Sequence, residues 1–490
     1  MTRQASESGL AAASMAVLDQ WWDASIGLVV DPAWAPTQRR ARVRETCWYA
    51  LGLLARGGST DNRRAVRAID AVLDHQFDQP GAPWHGTWLR WPDEPTPVDG
   101  ARAFRDYDPN WREFIGCALL HILVEREGHL PAELVARIEH ALDLAVAGTL
   151  ARGVDPLYSN IALMAGFLMH AVGRRRSDRE CDARGLHLMG QVLEAFEARG
   201  AFEEYNSPTY YGIDLYALAL WRRYGSEPGT VQRAGAVELA LWRDVADHYH
   251  AGLCNLAGPY DRSYGMDLNS YASGIGLWLW QALGREAAPF PDISDPFEHF
   301  WDLALGPSVA ALGIPDLPSP VRAALRSFPG PRTLEQPIDG RRVATTVLDV
   351  NVMVGAEHLG GDRSGLGDQF HPLTAHWRLG TGVGWLRLVS ELTIDVAASC
   401  AGSDAVEVRL RWPAGGSFAF QVRADGLDGG SVTPERWRLP GLEVAVTGAA
   451  ALERVESAPD GTWWLHYRAP SDVDGGAGLT LQWSRRGGVF

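Results

Sequence analysis

A dense group of polar and aromatic side chains makes residues 200–216 the stretch best equipped for chemistry. Its members within residues 203–211 are Glu203, Glu204, Tyr205, Asn206, Ser207, Thr209, Tyr210 and Tyr211. Carboxylates, amides and phenols of this kind can bind a sugar, balance a charge or move a proton. Pro208 suits the first turn of a helix, and Ser207 suits the N-cap before it. The alternative is a capped helix start with packed tyrosines, although a cap needs only one or two polar residues.

Four further stretches combine aromatic and polar residues. They are Trp84-His85 with Trp88, Asn110 with Trp111, Tyr158-Ser159-Asn160, and Tyr260 with Arg262 and Tyr264. The last three precede or open predicted helices. In a toroid of helical hairpins such positions meet at one rim, where helix N-termini favour anions. Each has a plainer alternative, because an Asn before a helix is often only a cap and Arg262 can pair with Asp261 or Asp267.

The C-terminal part contributes one long glycine-rich segment, residues 357–372. It holds His358, Asp362, Arg363 and His371. Long loops without regular structure inside compact domains are often functional. The alternative is a turn with incidental polar residues.

Size and charge limit the partners. A chain of 490 residues is too long for one hydrophobic core, so two domains are expected. A net charge of -15 disfavours a broad phosphate-binding surface, and nucleic acid is not an expected partner. A local basic pocket for an acidic ligand is compatible with this charge. The 20 tryptophans outnumber both phenylalanine and tyrosine, and most are assigned to packing, although indoles also stack on sugars.

Cysteine usage and hydropathy predict a cytoplasmic protein without a membrane partner. The five cysteines are scattered and lack CxxC spacing, which argues against a disulfide framework or a cysteine zinc site. No run reaches the roughly 18 apolar residues of a membrane span. The apolar run at residues 10–18 is short and interrupted, and a helix start explains it better than a signal peptide. No cofactor is expected; a structural zinc in the C-terminal part is the alternative.

Hydrophobic periodicity predicts two domains of different class. Residues 1–325 show apolar residues at three- and four-residue spacing in one segment after another, which predicts about a dozen helices in stacked hairpins. One of these predicted helices is Trp111–Arg126. After about residue 340 short alternating or β-branched runs separated by Gly, Asp and Pro predict an antiparallel β-sandwich in residues 326–490.

The order of elements resembles the polysaccharide lyases that join an α/α toroid to an antiparallel β-sandwich, the heparinase II/III-like and alginate-lyase-like group. Asn110-Trp111 is similar to an Asn-Trp stretch of those enzymes. Ser159-Asn160 before an apolar helix resembles the segment that neutralises the substrate carboxylate. Residues 204–211 resemble the segment that carries the catalytic tyrosine, a role that falls on Tyr210. The resemblance covers most of the chain as architecture and about 60 residues as motifs.

The resemblance implies a lyase acting on an acidic oligosaccharide or polysaccharide by β-elimination. Ile161 and Tyr211 stand where the family often has His, and one extra residue separates Glu204 from Ser207. The resemblance therefore assigns the missing histidine to the β domain, as His371. The predicted catalytic residues are Tyr210, His371, Tyr260 and Arg262. The predicted substrate ligands are Trp84, His85, Trp88, Asn110, Trp111, Asn160, Glu204, Asn206, Tyr211, Tyr264 and Arg363.

Each predicted role follows from the chemistry. A tyrosine with a pKa near about 10 requires a nearby cation to act as a base, and Arg262 is the candidate. Asn160 and Asn206 are candidate neutralisers of a uronate carboxylate. Two other functions remain open. A glycoside hydrolase would pair Glu203 or Glu204 with Asp261 or Asp267, and a non-catalytic protein would use its tryptophans to hold sugar.

Overall fold

A computed structural model describes residues 3–35, 39–358, 369–390, 394–400, 406–412, 415–470 and 478–485. They form two compact units. The helical unit comprises Met1–Phe196, Tyr211–Leu239 and Ser270–Asp316, and the sheet unit comprises Glu197–Tyr210, Ala240–Asn269 and Leu317–Phe490. Both units are discontinuous in sequence. The predicted single boundary between residues 325 and 326 stays a prediction.

Twelve α-helices lie in the described part of the chain. In order they are α1 Arg3–Trp21, α2 Val43–Arg56, α3 Ser59–Leu73, α4 Trp111–Arg126, α5 Ala132–Arg152, α6 Ser159–Arg176, α7 Arg179–Arg199, α8 Tyr210–Tyr224, α9 Pro228–His248, α10 Gly274–Leu283, α11 Gly306–Leu312 and α12 Ser319–Arg326. The bounds of α4 agree with the predicted helix. None of these helices has the length and apolar character that crossing a membrane requires, within the residues described.

The inner helices of the helical unit contact one another in a ring. Helix α2 packs on α4, and α4 packs on α6. The indole of Trp221 on α8 donates to the carbonyl of Leu163 on α6 at 3.3 Å. Trp278 on α10 donates to Gly212 on α8 at 2.7 Å. Helices α1 and α11 contact both α10 and α2, which returns the ring to its start.

The outer helices pair with the inner ones as hairpins. Helix α3 packs on α2 and α5 packs on α4. Helix α7 buries one stripe at three- and four-residue spacing, whereas α4, α6 and α8 bury almost every residue over their first three turns. This division into buried and half-buried helices is the arrangement of an α/α toroid.

Nineteen strands lie in the described residues. They are β1 Trp22–Asp23, β2 Leu28–Val30, β3 Ala41–Arg42, β4 Tyr249–His250, β5 Asn255–Leu256, β6 Arg332–Pro337, β7 Val343–Asp349, β8 Val352–His358, β9 Leu373–Leu379, β10 Gly382–Ser390, β11 Asp395–Cys400, β12 Val406–Arg411, β13 Gly416–Arg423, β14 Val432–Thr433, β15 Arg436–Leu439, β16 Leu442–Gly448, β17 Ala451–Ser457, β18 Trp463–Ala469 and β19 Gly478–Arg485. The large sheet has the order β17-β18-β13-β10-β9-β8-β7-β6, and the small sheet has the order β11-β12-β19-β16-β15-β14.

The two large antiparallel sheets share one hydrophobic core. Leu386, Phe420 and Leu465 enter it from the large sheet, and Val408 and Leu481 enter it from the small sheet. Inward residues alternate with outward ones along β12 and β18, as the period of a strand requires. The chain therefore has the predicted fold class, an α/α toroid followed by an antiparallel β-sandwich.

One part of the large sheet is covered on its outer face by other segments of the sheet unit. Strand β8 is buried along both faces up to His358. A Cβ atom at Gly355 would lie 1.9 Å from the backbone carbon of Gly258 and 2.2 Å from the nitrogen of Pro259. Residues 240–269 thus press backbone against backbone on β8, and only glycine fits there.

Gly355→Ala is expected to destabilise the sheet unit by about 3 kcal/mol, because rigid backbone atoms must move to admit the methyl group. Urea unfolding followed by tryptophan fluorescence measures the change. The control is Gly340→Ala, since a Cβ at Gly340 meets no described atom within 4 Å. Equal unfolding midpoints for the two variants would show that the close approach is absent.

Candidate functional site

Four side chains of the sheet unit form a compact group, called here the phenol cluster: Tyr210, Arg262, Tyr264 and Glu204. The Nη2 atom of Arg262 donates to the hydroxyl of Tyr210 at 2.8 Å, and the hydroxyl of Tyr264 lies 2.8 Å from the same oxygen. Nη1 of Arg262 donates to Oε1 of Glu204 at 2.5 Å. The phenol of Tyr210 thus has a cation on one side and a second phenol on the other.

The guanidinium of Arg262 is held in a defined orientation. Its carbon lies 4.2 Å from the centroid of the Tyr210 ring. Its Nε donates to Oε1 of Gln369 at 3.2 Å. The side chain is 20% exposed, and that of Glu204 is 10% exposed. A carboxylate, an amide and an aromatic face therefore orient a cation that still reaches solvent.

Local backbone contacts join the two segments that carry the phenol cluster. The hydroxyl of Ser207 accepts from the backbone nitrogen of Tyr210 at 3.0 Å, which confirms Ser207 as the cap of α8. The same hydroxyl donates to the carbonyl of Arg262. Asn206 has a φ of 48°, and its Nδ2 donates to the carbonyls of Ala257 and Pro259 at 2.7 and 3.0 Å. This buried amide braces the loop, which is a positioning role.

Burial dominates the electrostatics of Tyr210. Desolvation raises the pKa of its phenol well above the usual value, and the neighbouring Tyr264 adds to the rise. Arg262 acts in the opposite direction and does not reverse it. The cation predicted to activate Tyr210 is therefore in contact, yet the phenol of the free protein is neutral at neutral pH. A neutral phenol is a proton donor.

His371 and Tyr260 pair through their backbones and lie fully buried. The backbone nitrogen of each donates to the carbonyl of the other, at 3.2 and 2.9 Å. The hydroxyl of Tyr260 donates to the carbonyl of Leu256. Each side chain therefore lies inside the sheet unit, and its predicted catalytic role stays a prediction.

The tautomer of His371 limits what this ring can do. Nη1 of Arg387 lies 3.1 Å from its Nε2, and a guanidinium only donates, so Nε2 is the acceptor and the proton sits on Nδ1. Burial first, and Arg387 second, lower the pKa of His371 well below its usual value. In this arrangement neither ring nitrogen is poised to take a proton from a substrate.

A second arginine gathers the carboxylates that flank the phenol cluster. Arg342, whose side chain is 4% exposed, contacts Asp261 and Glu203 at 2.8 Å, Asp339 at 2.6 Å and Glu357 at 3.5 Å. Of the two aspartates given as alternative partners of Arg262, Asp261 contacts Arg342, and Arg262 contacts Glu204. Asp267, the other partner considered, accepts from Asn255 and Asn269.

The predicted ligand Asn110 takes part in a polar group of the helical unit. Its Nδ2 donates to the hydroxyl of Tyr158 at 2.9 Å, and its Oδ1 accepts from Nη1 of Arg152 at 2.8 Å. Arg152 also lies 3.7 Å from Glu113. The structure thus brings together the second and third of the four stretches that the sequence singled out.

The remaining predicted ligands of the helical unit are buried. They are Trp84, Trp88, Trp111, Asn160 and Tyr211. Burial favours the packing alternative for the tryptophans, and their roles as substrate ligands stay predictions. His85 accepts from the backbone nitrogen of Gln79 through Nδ1 at 3.1 Å. Arg363 falls outside the described residues.

Two carboxyl groups of the helical unit have raised pKa values. Burial raises the pKa of Glu113 to about 7 against the opposing effects of Arg152 and Arg112. Burial likewise raises the pKa of Asp302 to about 7, opposed by Arg44. Asp302 lies 3.3 Å from Arg44 and its side chain is 21% exposed. A carboxylic acid that is partly protonated near neutral pH is a candidate general acid.

Two residues that contact the phenol cluster or its flanking carboxylates, Gln369 and Arg342, were not predicted from the sequence. Gln369 lies in the glycine-rich segment at residues 357–372, but its contact with Arg262 depends on tertiary structure. Arg342 follows an Asp-Gly turn and has no motif around it. Across the described residues, no group of three or more His, Cys, Asp or Glu side chains is arranged to hold a metal ion.

The protein thus belongs to the class in which an α/α toroid is followed by an antiparallel β-sandwich. Its sheet unit carries a tyrosine–arginine–glutamate group. The chain belongs to the family described as Domain of unknown function (DUF8769), whose model matches residues 8–313. A search of curated protein sequences finds no match.

Solved structures with similar chain paths include enzymes that act on glycans. The chondroitin AC lyase of Streptomyces coelicolor A3, solved with chondroitin sulphate, is 13% identical, with a TM-score of 0.47 over 99% of this chain and 79% of that one. A GH76 α-mannanase of Bacteroides thetaiotaomicron is 11% identical, with a TM-score of 0.40 over 62% and 94%. The heparan sulfate lyase of Pedobacter heparinus is 11% identical, with a TM-score of 0.36 over 98% and 83%. No shared activity follows at this level, so activity must be inferred from the site.

Proposed function

We propose that this protein is a carbohydrate-active enzyme that cleaves a uronic-acid-containing oligosaccharide or polysaccharide by β-elimination, with Tyr210 as its acid–base group. One observation carries the proposal. The oxygen of Tyr210 has Nη2 of Arg262 and the hydroxyl of Tyr264 at the same distance, 2.8 Å. Once Tyr210 is a phenolate its oxygen can only accept, so the hydroxyl of Tyr264 becomes a second donor beside Arg262 and the two stabilise the negative oxygen.

The reaction moves one proton and breaks one carbon–oxygen bond. A base removes the proton at C5 of the uronate, and its electron pair becomes a C4–C5 double bond as the bond from C4 to the leaving oxygen breaks. The leaving oxygen takes up a proton. No water, oxidant or reductant is consumed. The protein has to stabilise the charge that develops on the uronate carboxylate and move the proton.

Tyr210 suits this proton movement in both directions. Its neutral phenol can give a proton to the leaving oxygen, because burial holds its pKa above the usual value. Once the phenol has given up its proton, Arg262 and Tyr264 stabilise the oxygen. Glu204 keeps Arg262 in place through the 2.5 Å contact. When substrate binds, the phenol first releases its proton to solvent. In each turnover the phenolate takes the C5 proton of the bound uronate, and the neutral phenol so formed gives that proton to the leaving oxygen, which regenerates the phenolate.

The uronate carboxylate needs its own neutralising partners. Asn160 and Asn206 are the residues predicted for this role, Asn160 from the sequence resemblance. Asn206 is a weaker candidate, because its Nδ2 donates to two backbone carbonyls of the sheet unit, those of Ala257 and Pro259.

A glycoside hydrolase is the second candidate function, and Asp302 is the observation that favours it. A hydrolase requires one carboxylic acid that is protonated near neutral pH, and the pKa of Asp302 is raised to about 7. The carboxylates first considered for this role fit less well. Glu204 contacts Arg262, Asp261 contacts Arg342, and Asp267 contacts two asparagines. The products separate the two functions, since hydrolysis adds water and elimination does not.

Arg262→Lys is expected to lower kcat/KM for elimination by about 10²-fold, because a lysine keeps the charge but loses the fork that spans Tyr210 and Glu204. Initial rates of double-bond absorbance on a confirmed glycan measure the change. The control is Arg378→Lys in the sheet unit, whose guanidinium contacts Asn351 and Gly252 instead. Unchanged rates in Arg262→Lys would remove this arginine from the mechanism.

A further inference from the structure

The outer face of the large sheet carries a second group of side chains suited to a sugar, at the edge formed by β17 and β18. Glu456 on β17 is directly opposite Trp464 on β18, and Arg454 is directly opposite His466. Leu465 and Tyr467, which alternate with this pair on β18, point into the sandwich core. The four outward side chains therefore form one patch on the surface of the sheet unit.

This patch borders an open depression of about 440 Å³. Its lining residues are Glu456, Ser457, Ala458, Pro459, Trp464 and His466. The volume falls within the range of roughly 300–1,000 Å³ that small-ligand sites occupy. The rings of Trp464 and His466 stack with an interplanar angle of 22°. The depression thus has one flat aromatic side, a proline and an alanine, and a polar edge.

The polar edge has capacity for a ligand. Nε2 of His466 contacts Oε1 of Glu456 at 2.8 Å, and Nη2 of Arg454 contacts the same oxygen at 3.3 Å. Among the described residues, no protein group bonds to Oε2 of Glu456 or accepts from the indole nitrogen of Trp464. The side chain of Trp464 thus lines the depression, and its N–H is not used by a protein acceptor among the described residues.

We propose that this depression is a non-catalytic binding site for a neutral pyranose unit of a glycan. The apolar C–H face of a pyranose ring matches a flat indole in size and polarity. A carboxylate with one oxygen held and the other open accepts hydroxyl donors strongly, as charge-assisted bonds do. Arg454 and Glu456 offset each other's charge, so the patch offers no net attraction to the carboxylate of a uronate. Charge and shape therefore select an uncharged sugar.

The site is independent of the phenol cluster in its chemistry. It requires no proton transfer, and no residue of the cluster takes part in it. An enzyme that acts on long glycans gains affinity from a second sugar-binding site, because binding at one site raises the local concentration at the other. The proposal does not rest on the lyase assignment and holds equally for a hydrolase or a binding protein.

Binding of the full chain to a glycan array of neutral gluco-, manno-, galacto- and N-acetylhexosamine oligosaccharides tests the site. The wild-type protein and Tyr210→Phe are both expected to bind at least one neutral oligosaccharide. Trp464→Ala is expected to bind it at least tenfold more weakly, and Glu456→Gln several-fold more weakly. Trp464→Phe, which keeps a smaller ring, is expected to retain part of the affinity.

The matched control is Glu453→Gln on the same strand, whose carboxylate pairs with Arg468 and does not line the depression. It is expected to bind like the wild type, and thermal melting confirms that each variant is folded. Absence of binding to every neutral oligosaccharide overturns the proposal. So does equal binding by folded Trp464→Ala, or an equal loss in Glu453→Gln.

Discussion

Tyr210→Phe is expected to lower kcat/KM for elimination by about 10³-fold or more while substrate still binds. The substitution removes one hydroxyl, the oxygen at which Arg262 and Tyr264 converge. General acid–base groups typically contribute about 10²–10⁴-fold, and here one residue serves both directions of proton transfer. Initial rates of double-bond absorbance give kcat/KM, and calorimetric titration gives the affinity of the inactive variant. Loss of kcat with an unchanged Kd is the pattern of a group that acts in the transition state.

Two further tyrosine variants, one inside the phenol cluster and one outside it, serve as comparisons for Tyr210→Phe. Tyr264→Phe removes only one of the two groups at the Tyr210 oxygen, so a smaller loss, about tenfold, is expected. Tyr224→Phe removes a phenol from the same helix, where it donates to Glu125 in the helical unit, and activity is expected to stay unchanged. If Tyr210→Phe retains wild-type rates on a glycan that the wild type demonstrably eliminates, the acid–base assignment is wrong.

Arg342→Met is expected to reduce the free energy of unfolding by about 3–5 kcal/mol. Asp261 and Glu357, both fully buried, each lose an ion-pair partner, and breaking a buried ion pair from one side is strongly destabilising. The neighbouring exposed residue provides the control. Arg341→Met makes the same chemical change one position earlier and is expected to shift stability by less than about 0.5 kcal/mol. Similar urea midpoints for the two variants would contradict the role of Arg342.

The pH dependence of stability gives this prediction a second readout. Although burial opposes the shift, the hydrogen bonds from Arg342 and the backbone lower the pKa of Asp339 to about 2. A depressed carboxyl stabilises the fold above its unfolded pKa of 3.8, and that contribution is lost as the pH falls through about 2. The stability difference between wild type and Arg342→Met should therefore narrow as the pH is lowered from 3.8 towards 2.

Loss of the Arg342 side chain is also expected to disturb the geometry of the phenol cluster. Asp261 accepts from the backbone nitrogen of Tyr205 at 3.0 Å, and the backbone nitrogen of Asp261 donates to the carbonyl of Tyr205 at 3.1 Å. These bonds link the segment that carries Glu204 and Tyr210 to the segment that carries Arg262. Arg342 is thus a positioning residue, since it acts on the cluster through Asp261.

Periodicity predicted the helices well because their packing is local. The apolar run of Trp111–Arg126 was assigned to the residues that form α4. Strand β8 lacks the alternation by which a strand is predicted, for a physical reason. Its outer face is covered by residues 240–269 as well as its inner face by the core, so its side chains show no polar–apolar alternation.

The sequence identified the members of the phenol cluster but not their partners. Residue types and spacing marked Tyr210, Glu204 and Arg262, each of which lies in a stretch rich in aromatic and polar groups. Arg262 contacts Tyr210, as its predicted role requires, but its contact with Glu204 joins residues 58 positions apart and depends on tertiary structure. The direction in which the pKa of Tyr210 shifts could not be predicted from the sequence either, because desolvation depends on the packed structure.

The most direct test is mass spectrometry of the products that wild type and Tyr210→Phe release from a panel of uronic-acid-containing glycans. Elimination divides a glycan into pieces whose masses sum to that of the substrate, and one piece carries the new double bond at its non-reducing end. Our account predicts such pieces from the wild type and almost none from Tyr210→Phe. Pieces that together contain one added water, or unsaturated pieces released equally fast by Tyr210→Phe, would contradict it.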